Sequence, residues 1–138
     1  MVSPQKVSKK FNLLEEYLRI LDQISQTPEG EFLKDKILIG SAKYYIQISI
    51  ECCIDVATHI ISSEGFRSPA EYADSFRVLM ENGILDKELT GRLVQMAKFR
   101  NRLVHLYGEI QDDYVYRAIT HDLTDIIQFQ ERIISRFP

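Results

Sequence analysis

Apolar residues recur at helical spacing along almost the whole chain. Phe11, Leu14, Leu18 and Leu21 fall three and four positions apart, which predicts an amphipathic helix from about Val7 to Ile24. Thr27-Pro28-Glu29 then supplies a cap residue, a proline at the first helical position and an early acid. A second helix is expected from there to about Ser62, with a bend near Gly40. Leu38, Ala42, Tyr45, Cys52, Val56 and Ile60 form one apolar stripe on it, and Ile46, Ile50, Ala57 and Ile61 a second. Strongly polar residues keep to the strip through Gln47, Glu51 and Asp55. A helix this apolar belongs at the centre, in a core or at a subunit contact.

Ser68-Pro69 reads as the start of a third helix reaching Glu81, closed by Asn82-Gly83. Asp86 is placed to cap a fourth, which carries Leu89, Leu93, Met96, Ala97, Leu103 and Val104 inward and stops at Gly108. Asp112-Asp113 begin a fifth, with Val115, Ile119, Leu123, Ile126, Ile127 and Ile134 as its periodic face. There is no repeat, linker or low-complexity tract. The expectation is a single all-α domain over residues 1–138, an antiparallel bundle of about five helices with short loops.

Composition narrows the possibilities. A length of 138 residues, 45% hydrophobic and 27% charged, suits one soluble domain with a hydrophobic core. No apolar run approaches the roughly twenty residues that span a bilayer. The opening Met1-Val2-Ser3-Pro4-Gln5-Lys6 has no signal-peptide core behind it, so a cytoplasmic protein is expected. Cys52 and Cys53 are adjacent and alone, which excludes a disulfide framework or a cysteine-based zinc site and leaves them as packing residues. A net charge of −3 argues against a broad nucleic-acid-binding surface but allows a small basic cleft, and no DNA partner is expected.

One stretch breaks the packing pattern. Phe99-Arg100-Asn101-Arg102-Leu103-Val104-His105-Leu106-Tyr107-Gly108 concentrates cations, an amide, a histidine and a tyrosine near a helix end. Such local departures mark functional sites. On an ideal helix Arg100 and Tyr107 are nearly eclipsed, while His105 lies about 140° round from Arg100. Lys98, Asn101, Arg102 and His105 can share one polar surface. Arginine binds phosphate as a charged planar fork, and histidine moves protons near neutrality. Asn101 can orient the imidazole. These parts suffice for metal-free RNA cleavage, with the histidine moving protons as the ribose 2′-hydroxyl attacks and the arginine stabilising the phosphorane. Structural ion pairing is the competing reading of an Arg-x4-His pair. Lys98 and Arg102 are either further RNA-phosphate contacts or an exposed basic edge.

Gln47, Glu51, Asp55 and His59 recur every four residues on the second helix. Glu51 or Asp55 either borders the cleft and orients the arginine or histidine, or forms an ion pair that fixes packing. A metal site of Glu51, Asp55 and His59 lacks further ligands, so neither metal nor cofactor is expected. His121 reads as a solvated helix residue.

The chain resembles the HEPN superfamily, specifically the HepT-like toxins of MNT–HEPN toxin–antitoxin modules. The resemblance rests on Arg100, His105 and Tyr107 as an Arg-x4-His-x-Tyr motif with Asn101 after the arginine. It extends to the blocks Tyr72–Leu79 with Asn82–Leu85 and Tyr45–Glu51 with Asp55 and His59. It implies an HEPN-like helical homodimer with a metal-independent endoribonuclease site at the subunit cleft, Arg100 and His105 being catalytic. It further implies a type VII-like system, in which a cognate MNT nucleotidyltransferase antitoxin silences the toxin by transferring AMP to Tyr107. A non-catalytic helical partner or nucleotide-binding module for such a nucleotidyltransferase is the alternative.

Overall fold

The computed structural model describes residues 1–105 and 110–138. Its centre is a 29-residue helix, α3 (Lys36–Glu64), against which α1 (Pro4–Ser25) packs most extensively, followed by α4 (Tyr72–Glu81) and α5 (Lys87–His105). The chain ends in one long helical run: α6 (Asp112–Arg117), a π-helical turn (Ala118–Asp122) and α7 (Leu123–Arg136). With the single-turn α2 (Glu29–Phe32), this is an all-α bundle of five long helical segments among the described residues.

Both apolar stripes of α3 find partners. Ala42, Cys52, Val56 and Ile60 are buried, with Leu38 and Tyr45 half-buried at the margin. Ile46, Ile50, Ala57 and Ile61 are also buried, so this second stripe serves the bundle's own core. By length and composition α3 could cross a bilayer. Its apolar character has a simpler cause, since it touches α1, α4, α5, α6 and α7. Where those helices meet, Phe129 sits edge-on to both Phe11 and Phe76, with ring centroids 6.4 and 5.6 Å away.

The caps explain where sequence and structure part. The helix expected from Pro28 to Ser62 is interrupted after Phe32, because Asp35 accepts from the Ile37 and Leu38 N–H groups and starts α3 afresh. Ser68-Pro69 does not open a helix; α4 begins three residues later at Tyr72, while the Asp74 carboxylate accepts the Ala70 N–H. Asp86 does cap α5, its Oδ1 accepting from the Leu89 N–H at 2.8 Å. Gly83, at φ 74°, takes the left-handed turn after α4. The expected stop of α5 at Gly108 lies outside the described residues.

In the last helical run Val115, Ile119 and Ile126 face the core as expected, and Leu123 is half-buried. Ile127 and Ile134 are exposed instead, and Phe129 and Ile133 take the interior places. Two apolar stripes compete on this helix, and the one whose phenylalanine fits between Phe11 and Phe76 docks.

Candidate active site

The last two turns of α5 bring the cationic cluster to one end of the bundle. Arg100 turns toward α3, where its Nε and Nη2 donate to Glu51 Oε2 at 3.0 and 2.7 Å. Its Nη1 donates to Asn101 Oδ1 at 3.2 Å. The Tyr72 ring, at the start of α4, lies beneath the guanidinium, 5.3 Å from carbon to ring centroid, within cation–π range. Glu51 is steadied in turn by Gln47, whose Nε2 donates to the same carboxylate oxygen at 3.3 Å.

Among the described residues the arginine is held but not used up. A guanidinium carries five N–H donors, and these three bonds leave two there, one on each terminal nitrogen. With a side chain 15% exposed beside a carboxylate 31% exposed, the group is fixed in orientation and still reachable. That combination suits a charge meant to receive an anion.

His105 is the last described residue of α5 and is exposed, as are Lys98 and Arg102 on the same helix; Asn101 is half-buried. The expected single polar surface therefore divides. Arg100 and Asn101 bond to each other, with Arg100 anchored on α3, while Lys98, Arg102 and His105 face solvent. Tyr107 lies outside the described residues.

The acidic strip of α3 divides as well. Glu51 belongs to the arginine. Asp55 does not join it, because it accepts from Lys10 Nζ at 2.9 Å on α1. His59 lies further along, its Nε2 accepting the Ser3 N–H at 3.0 Å. Burial, then the nearby Lys6 and N-terminal charges, lowers its pKa below the usual imidazole value. Glu51, Asp55 and His59 thus serve three different partners.

Cys52 and Cys53 are buried, and burial pushes both thiols up, away from the reactive thiolate. His121 is exposed, on the π-helical turn. Tyr72 is a participant that the residue pattern does not single out, and Gln47, though part of the four-residue repeat, carries no assigned role there. An aromatic opening a helix carries no sign of a cation above it, and the Arg100–Glu51 pair joins positions 49 apart.

Residues 14–133 match the protein-family model described as Ribonuclease HepT-like. The chain is similar to an mRNA nuclease HepT of Shewanella oneidensis, at 34% identity over 100 residues, covering 72% of this chain and 75% of that one. It is also similar to a tRNA nuclease HepT of Aphanizomenon flos-aquae, at 26% identity over 137 residues, 97% of this chain and 91% of the other. Among solved structures, tri-AMPylated Shewanella oneidensis HEPN toxin in complex with MNT antitoxin superposes with a TM-score of 0.90 at 28% identity. That match covers 96% of this chain and 99% of the toxin.

Proposed function

The chain belongs to the HepT-like ribonuclease family, and from that premise we propose that Arg100 and His105 cut RNA as the toxin of an HEPN–MNT toxin–antitoxin pair. The observation that carries this reading is the state of Arg100, fixed by Glu51 and Asn101 with two N–H groups to spare among the described residues, on the helix that also carries an exposed His105.

The chemistry uses the substrate's own nucleophile. His105, neutral, takes the proton from a ribose 2′-hydroxyl as its oxygen bonds to phosphorus. The bond from phosphorus to the 5′-oxygen breaks, and an imidazolium returns a proton to that leaving oxygen. The products are a 2′,3′-cyclic phosphate and a 5′-hydroxyl. Arg100 stabilises charge on the phosphorane through its remaining donors. DNA lacks the 2′-hydroxyl and is not a substrate. No step requires a metal ion. In the homodimer that this reading includes, two Arg–His sets face each other across a cleft, and the protein acts in the cytoplasm.

Tyr107 is the proposed acceptor of AMP from an MNT-type nucleotidyltransferase antitoxin. Its phenolic oxygen attacks the α-phosphorus of ATP and releases pyrophosphate. The new phosphodiester adds negative charge and an adenosine beside Arg100 and His105, occupying the anion site and blocking it sterically. The solved complex of an AMPylated HEPN toxin with its MNT antitoxin supports the pairing.

The buried-side contact of Arg100 with Glu51 also suits a non-catalytic partner module, since structural ion pairs look alike. The test is cleavage of mixed cellular RNA in EDTA by wild type and His105→Ala, matched for folding and dimerisation. Cyclic-phosphate ends from the wild type alone are expected. Equal cutting by both places the activity elsewhere. No cutting by either, with Tyr107 unmodified by mass, favours the partner module.

A further inference from the structure

Around Ile46 of α3, helix α5 stands apart from α6 and the π-helical turn, leaving an open groove of about 1060 Å³. Its floor is apolar, made by Ile46, Met96, Phe99, Ala118 and Leu123. Its edges are cationic: Lys87, Arg92, Lys98 and Arg102 line one side and Arg117 the other. Three carboxylates, Glu88, Asp122 and Asp125, also line it. Asp125 is engaged by Arg92 Nε at 2.7 Å. Positive charge thus gathers in this groove on a chain whose net charge is −3. Tyr114, 51% exposed, adds a ring to the lining.

Helix geometry aims the groove at His105 of the proposed cleavage pair. Lys98 and His105 are seven residues apart, about 20° round the axis and roughly 10 Å along it. Arg102 precedes the histidine by three positions, on a neighbouring row. A strand following the groove along Lys98 and Arg102 therefore arrives at His105.

We propose that this groove binds the single-stranded RNA flanking the scissile phosphate. Lys98, Arg102 and Arg117 contact phosphates, and Tyr114 and the apolar floor receive unstacked bases. A cationic rim over an aromatic and apolar floor is how sequence-tolerant single-strand binding is built, and unpaired bases alone can reach such a floor. The inference rests on the reading of Arg100 and His105 as an RNA-cleaving pair, and assigns Tyr114 and Arg117 a part in holding the substrate.

The test is steady-state cleavage of two substrates by protein unmodified at Tyr107. One is a long unstructured oligoribonucleotide; the other is a dinucleotide that spans only the scissile phosphate. Tyr114→Ala is expected to raise KM for the long RNA roughly tenfold, the scale of losing one stacked base. Arg117→Ala should raise KM and lower the slope of log affinity against log salt by about one. Neither variant should change kcat on the long RNA or any constant on the dinucleotide.

Equal losses on both substrates, or no loss on either, overturn the proposal. So does a shift of the monomer–dimer equilibrium in sedimentation by Tyr114→Ala with the RNA constants unmoved, which gives the groove to a second copy of the chain. If the wild type cleaves neither substrate, the nuclease reading fails on its own. Anisotropy titration of the oligoribonucleotide with the same variants then decides the groove separately.

Discussion

Glu51 sets what Arg100 can do. A carboxylate that accepts two guanidinium N–H groups and is itself held by Gln47 fixes the plane of the fork before any phosphate arrives. Ordering that long side chain in advance removes an entropy cost from the transition state. We expect Glu51→Gln to lower kcat on the order of 10- to 100-fold with KM little changed, and Glu51→Asp to restore part of it. A loss appearing only as lower thermal stability, with kcat intact, would return Glu51 to packing. The motif itself was legible in the sequence as a polar cluster inside an apolar helix. Its anchor could be narrowed only to Glu51 or Asp55, because the two share one repeat and only the packed neighbours decide which of them meets the arginine.

At the scale of elements, most helices could be read from spacing and caps. Asp86 behaves as an aspartate ahead of an apolar period should, and its backbone bond to Leu89 also lowers its own pKa. Asp86→Ala should lower the midpoint of urea unfolding, leaving the slope of the transition unchanged. The misses have local causes. Pro28 announces a helix that lasts one turn, since Asp35 offers a stronger cap so soon afterwards. Ser68-Pro69 resembles a start because proline fits a first turn, yet the chain stays irregular there while Arg67 spans two acids. The outward Ile127 and Ile134 are as apolar as their buried neighbours, so periodicity alone could not rank the two stripes.

For the molecule as a whole, one ion-pair network ties the loop after α3 to α4. Arg67 donates to Asp74 and Glu81 together, the shortest contacts being 2.8 and 2.6 Å. The Arg67 bonds first, and the Ala70 N–H second, lower the Asp74 pKa from 3.8 to about 2. A carboxyl more acidic in the folded than in the unfolded chain contributes stability that is full above 3.8 and is lost as pH falls toward about 2. Acid titration should therefore show wild-type stability falling across that window. Asp74→Asn should start less stable at neutral pH and lose less there; parallel curves would show that the network does not set acid tolerance.

The π-helical turn at Ala118–Asp122 bears on how this architecture can vary. The wide turn takes up its extra residue locally, so the α-helical runs on either side keep the phase of an unbroken helix. Removing one residue there lets the turn relax to ordinary α-helix, with Phe129 and Ile133 still in the core and Tyr114 and Arg117 still along the groove. Removing one from the regular stretch between Leu123 and Phe129 instead swings the two ends about 100° apart. The turn is thus a slack link, at which the chain's length can change by one residue without repacking the interior.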